Sequence, residues 1–242
     1  MTAPDGSLTS LDTSTLHRVL VVVAHPDDAE YGTSAAVAVW TAAGVEVAYL
    51  LLTAGEAGMQ RPPEEAGPLR ALEQQAACEA VGVKRLTILD FPDGTLEYSL
   101  DLRRAIAREI RTFRPDTVVC GSGSLMVEWG VDHADHRVAG VATLDAVRDA
   151  DNRWVFPELA RHEDLAPWGT TRVLLVGTKP THYVEIPDAV LEKAVASLEA
   201  HEAYLSDLPW HPKPADFVPS MLSHVPGVAH AASFGVYELK GG

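Results

Sequence analysis
The stretch RVLVVVAHPDDAEYG, residues 18–32, constrains this chain more than any other. Its valine run has no polar position to leave in water. It must therefore be a strand covered on both faces, as in a parallel sheet with helices on either side. The run stops abruptly on His25, Asp27 and Asp28. A carboxylate carried out of water is strongly disfavoured unless it is paired or binds a cation. Two neighbouring aspartates also repel each other, so positive charge is expected where this strand ends.

The rest of the chain repeats the pattern. Apolar runs at 45–53, 85–90, 116–120, 172–178 and 181–186 read as further strands. Between them, helical periodicity covers 29–43, 64–81, 99–113, 135–150 and 188–205. Gly44 and Gly82 stand where helices stop, and Ser99 or Asp101 where one starts. This alternation predicts an α/β fold: a Rossmann-like three-layer αβα domain with a mostly parallel sheet and its active site at the carboxyl ends of the strands. Residues 1–16 read as a flexible leader, 17–206 as the domain itself, and 207–242 as an irregular, proline-rich extension packing on it. Residues 55–68, rich in Gly, Pro and Glu, read as a mobile loop beside the same edge. The strand ends, taken in order, are HPDD, TAGEAG, DFPDG and GSGS, the last followed by WGVDHADH. Nearly all the unusual polar residues thus gather on one edge of the sheet.

Composition narrows the classes. At 242 residues, 47% hydrophobic and 22% charged, the chain suits one ordinary domain with an ample core. A net charge of −15 argues against nucleic acid and anionic membranes, which are bound through basic patches. The polar start lacks the order of a secretory signal, and Cys78 and Cys120 are too far apart to suggest a metal pair, so a cytoplasmic setting is expected.

The turn after the first strand does not suit a dinucleotide. That fold places glycines there for close approach to a pyrophosphate, whereas this chain places two negative charges. A metal fits the residues better. His25 and one of the two aspartates can ligate a divalent ion, and DHADH, residues 132–136, supplies His133, Asp135 and His136. Two histidines and one carboxylate leave a fourth tetrahedral position open, the catalytic arrangement for zinc.

The segments AHPDDAEYG, TAGEAG, RALEQQAACEAVGV, FPDGTL, RPDTVV and DHADHRVAG, in this order, resemble the LmbE-like (PIG-L) family of zinc-dependent N-deacetylases. The resemblance implies one zinc ion per chain, or another divalent transition metal, on His25, Asp28 and His136. It implies that Asp27 is the general base, that His133 stabilises the oxyanion or serves as an acid, and that Asp135 tunes His133. By the same resemblance Arg70 holds the substrate, and Asp93 and Glu56 lie on strand ends where sugar hydroxyls are read. The implied reaction removes an acyl group, acetyl in the first instance, from a glucosamine-type small molecule. The alternatives are an amidase for larger thiol-cofactor conjugates or a natural-product intermediate, and a non-catalytic scaffold. A homo-oligomer, dimer or hexamer, is implied as well. Three departures touch the substrate rather than the metal: Ala29 in place of a glutamate, Val131 in place of a tyrosine, and AHEAYL in place of an Ala-His-x-Ser-Gln pattern. Trp129 stands where it either stacks on a sugar ring or packs.

Overall fold
The computed structural model describes residues 7–239. In chain order the elements are β1 (Thr9–Ser10), a 3-10 turn (Thr13–Thr15), β2 (Arg18–Val23), α1 (Ser34–Ala42), β3 (Glu46–Leu51), α2 (Pro63–Ala80), β4 (Arg85–Ile88), α3 (Leu100–Phe113) and β5 (Thr117–Gly121). There follow β6 (Met126–Val127), β7 (Gly130–Val131), α4 (Ala134–Asp151), α5 (Pro157–His162), β8 (Arg172–Val176) and β9 (His182–Glu185). The chain closes with α6 (Asp188–Glu199), α7 (Glu202–Ser206), α8 (Pro214–Ser220), β10 (Ser223–Val225) and β11 (Val228–Glu238).

The sheet runs β1-β9-β11-β8-β5-β2-β3-β4, with β10 paired to β11. Strands β8, β5, β2, β3 and β4 are parallel to one another, and β11 lies antiparallel to both β8 and β9. Successive residues of a strand point to opposite faces, and here both faces are buried. Val19 and Val21 of β2, with Val47, Tyr49 and Leu51 of β3, join one core, which α1, α2 and α6 cover. Leu20 and Val22, with Ala48 and Leu50, join the other, which α3 and α4 cover. The three layers and mostly parallel sheet match the sequence expectation.

From β2 the chain moves outward to β3 and β4, then returns to place β5 on the other side of β2. The carboxyl ends of β2 and β5 therefore flank the switch point of the topology, where open α/β sheets bind ligands. Gly140 lets α4 press onto the end of β5. A Cβ there would lie 2.6 Å from the Gly121 carbonyl oxygen and 2.6 Å from the Gly123 nitrogen.

Five segments depart from expectation. Helix α1 starts at Ser34 rather than residue 29, because the chain first curls into a tight turn around Asp28. The helix expected over 188–205 is two, α6 and α7, separated at Ala200 and His201. Of the extension expected over 207–242, the described part, 207–239, is not irregular: β11 spans eleven residues inside the sheet, and α8 buries Val218. Of the expected leader, residues 1–6 and of the extension residues 240–242 lie outside the described residues; Thr9 and Ser10 pair with β9, and Leu11 and Leu16 are buried. The expected mobile loop at 55–68 is pinned at the Ala57 N–H by Asp93 and at the Gln60 N–H by Asp207, and α2 already begins at Pro63. Among the described residues no helix is long and apolar enough to cross a membrane.

Candidate active site
The turn after β2 is organised by Asp28. Its Oδ2 accepts the N–H groups of Ala24 (3.0 Å) and His25 (2.8 Å), folding the chain back on itself. Its Oδ1 is left facing α4, 3.0 Å from His136 Nε2. The same turn forces Asp27 to φ +85°, a conformation a non-glycine residue holds only when its surroundings fix it. The Asp27 N–H donates to Gln74 Oε1 at 2.9 Å, and Asp27 Oδ1 lies 3.2 Å from Arg70 Nη2. Asp27 Oδ2 is buried without a hydrogen-bond partner.

Helix α4 supplies the second cluster. His133 is its N-cap and accepts the Asp135 N–H through Nδ1 at 3.2 Å, which leaves Nε2 free on an exposed ring. His136 comes one turn later; its Nδ1 lies 3.0 Å from Asp132 Oδ1. On the other side, His25 Nε2 lies 2.9 Å from Asp93 Oδ1 and 3.2 Å from Asp135 Oδ2, while Nδ1 is 3.5 Å from Asp28 Oδ2. Both His25 and His136 are thus held at the far nitrogen by carboxylates and turn the near one towards Asp28. Metal-ligating histidines are oriented in this way.

His25, His133 and His136 each offer a nitrogen, all within 4.8 Å of one another. His25, Asp93 and Asp135 form a second such group. Asp93 Oδ2 already accepts the Ala57 N–H, and Asp135 accepts those of Gly94 and Leu96, so this second group clamps His25 and two loops. The electrostatics favour a cation. Asp27, Asp28, Asp93, Asp132 and Asp135 converge here, and of these carboxylates the guanidinium of Arg70 pairs with Asp27. Burial pulls the His25 pKa down, but the Asp28 and Asp93 carboxylates outweigh it and raise it to about 11. His136 is likewise opposed by burial and raised to about 9, chiefly by Asp28. For Asp28, burial is overcome by His136 and His25, which hold its carboxyl well below the usual range. Asp27 behaves oppositely: burial pushes it up to about 7, with Arg70 pulling back.

The structure brings together His25, Asp27, Asp28, His133 and His136 around one cavity of about 740 Å³. The expectations for Asp135 and Glu56 are corrected. Asp135 does not face the His133 ring; its carboxylate is wholly buried against His25 and the 94–96 loop. Asp93 lines the cavity, with one oxygen engaged by His25 and the other by the Ala57 amide. Glu56 accepts the Asp93 N–H at 2.9 Å and does not line the cavity. Arg70 lines the cavity, but donates to the carbonyls of Gly55 (2.9 Å) and Pro26 (2.6 Å) as well as pairing with Asp27. Its guanidinium also stacks on Tyr204, 4.1 Å from the ring centroid.

Gly55 is required by this arrangement. It has φ +65°, and a Cβ would fall 2.2 Å from Arg70 Nη1. Gly55→Ala is therefore expected to lower stability by roughly 1–3 kcal/mol, which urea unfolding will measure.

Several residues escaped the sequence reading. Gln74 sits one turn beyond Arg70 on α2, so its i, i+4 spacing was the available signal. Asp132 bears the same relation to His136. Behind them, Glu30 Oε1 accepts the Ser197 hydroxyl at 2.9 Å, and Oε2 lies 3.5 Å from His201 Nε2. Burial lowers the His201 pKa, but Glu30 outweighs it, so the net shift is upward. Nothing in the sequence marks this contact.

The family model described as PIG-L: GlcNAc-PI de-N-acetylase matches residues 20–147. A diacetylchitobiose deacetylase from Thermococcus kodakarensis is 32% identical over 200 residues, 80% of this chain and 72% of that protein. A probable N-acetyl-alpha-D-glucosaminyl L-malate deacetylase 2 from Bacillus anthracis is 32% identical over 53% of this chain and 58% of its own length. Among solved structures, the N,N'-diacetylchitobiose deacetylase from Pyrococcus horikoshii has the same fold, with a TM-score of 0.83 at 24% identity over 93% of this chain and 85% of that one. A conserved protein from Thermus thermophilus superposes with a TM-score of 0.74 at 27% identity, covering 91% and 94% of the two chains.

Proposed function
Since the chain belongs to the PIG-L family, we propose that it is a metal-dependent N-deacetylase that hydrolyses the acetamide of an N-acetylated amino sugar carried on a small molecule. His25, Asp28 and His136 are the residues that hold the ion. Two nitrogens and one carboxylate oxygen are a donor set for zinc with a position left open. The ion supplies Lewis acidity to the amide carbonyl and makes the attacking water more acidic.

The chain's own residues do the rest. Asp27 takes the proton from the attacking water through Oδ2, its unpartnered oxygen, and passes it to the leaving amine. Arg70 holds Oδ1 and so fixes which oxygen is free. His133 presents Nε2 to the oxygen on which negative charge develops, a hydrogen bond that strengthens in the transition state. One observation carries this reading: two histidines locked at their far nitrogens by carboxylates, both turned to Asp28, with an orphaned carboxylate oxygen beside them.

A screen of N-acetylglucosamine compounds for newly formed primary amine tests it, with Asp27→Ala as the control. Amine release by the wild type and not by the variant is expected. Equal rates in the two would overturn the assignment.

A further inference from the structure
Arg70, Asp93 and Glu56, the polar residues expected to recognise a sugar, are engaged by other protein groups, and away from the histidines and aspartates the cavity presents a broad apolar side. Arg70 is bound to two carbonyls and Asp27, Asp93 to His25 and Ala57, and Glu56 to the Asp93 amide. The large apolar side chains of the wall are those of Tyr31, Trp129, Val176, Tyr204, Phe217 and Met221. Tyr31 meets Phe217 edge to face, with ring centroids 5.4 Å apart, and its hydroxyl is taken by His211 Nε2 at 2.9 Å. Trp129 is 65% exposed at the tip of the β6–β7 hairpin and overhangs Gly177, where an added Cβ would lie 3.4 Å from its ring.

The wall does not stop at this cavity. A second hollow of about 610 Å³ shares Tyr31, Trp129, Val176 and Met221 with the first, so these side chains border both, and beyond them the second hollow is edged by polar groups such as Glu128, Ser220 and His224. Val176, Tyr204, Phe217 and Met221 also lie beyond residues 20–147, the part matched by the family model. The groups assigned to the chemistry come from the matched part, and most of this wall comes from outside it. A wall of four aromatic rings from separate parts of the chain, a methionine and a valine gives few hydrogen bonds to a polyhydroxyl ring and much surface to a hydrocarbon one.

We infer that the substrate carries an apolar substituent of several carbons, alkyl or aryl, which lies against Tyr31, Trp129, Phe217 and Met221 while the amide is cleaved at the histidine cluster. This rests on the deacetylase reading and specifies its substrate. The substituent can sit on either side of the scissile bond, as a longer acyl chain or as an apolar aglycone, and the two are separable.

Binding of products, which needs no turnover, distinguishes them. Calorimetry on the metal-loaded full chain would compare methyl, butyl and hexyl glucosaminides with acetate, butyrate and hexanoate. A buried methylene is worth about fourfold in affinity, so the dissociation constant is expected to fall at least about tenfold across one of the series. The series that responds identifies the side of the bond. Trp129→Ala, at an exposed position that does not threaten folding, is expected to flatten the gradient, as is Met221→Ala. Constants that stay level in both series, or a gradient unaffected by both variants, would overturn the inference. A clear gradient in a protein that releases no amine from any N-acetylglucosamine compound would overturn the deacetylase reading and leave only the apolar binding surface.

Discussion

Asp27→Asn is expected to lower kcat by about two to four powers of ten, the range spanned by loss of a positioned general base. Metal content should stay at the wild-type level. Asparagine keeps the size of the side chain and its backbone hydrogen bond to Gln74, but its amide cannot take a proton. Burial already lifts the Asp27 carboxyl to about 7, which suits a group that must accept a proton and release it again near neutral pH. A cation bound at the neighbouring Asp28 would draw that value back down. Loss of the ion together with activity, seen by elemental analysis, would show instead that Asp27 is a ligand.

His133→Ala is expected to reduce kcat by about 10²- to 10³-fold, the effect of removing one donor to a developing oxyanion. KM should change little, because the interaction is made in the transition state. The ring is exposed; besides the cap on α4 it meets only the rings of His25 and His136 among the described ring contacts, with centroids 5.4 and 5.3 Å away. Losing an N-cap costs about 1 kcal/mol, which leaves the fold intact for the comparison. Steady-state kinetics with metal analysis will check both parts. Wild-type turnover, or an emptied metal site, would remove His133 from this role.

The central part of the fold was legible because its signals are local. β2 and β3 are unbroken apolar runs, and their flanking helices have ordinary stops such as Gly44 and Gly82. The convergence of HPDD and DHADH was legible too, since strand ends on one edge of a parallel sheet must share a neighbourhood. β11 was not. Its sequence, VAHAASFGVYE, is largely small residues with weak strand preference, and it becomes a strand by pairing on both sides, with β8 and β9. The break between α6 and α7 was hidden for a similar reason. The helical pattern runs on through Ala200, and the chain turns where His201 is buried beside Glu30. Side-chain direction was the third blind spot. Asp93, Asp135 and Glu56 are acidic residues at the predicted edge, yet each is turned to a histidine or a backbone amide, which residue type and spacing do not reveal.

The central claim is that one ion on His25, Asp28 and His136 is required for amide hydrolysis. The most direct test is to measure divalent metal per chain and amine released per minute in the same samples while a chelator is titrated in. The account predicts one ion per chain, activity falling in proportion to its removal, and recovery when zinc is returned. Full activity in protein stripped of nearly all its metal would contradict it.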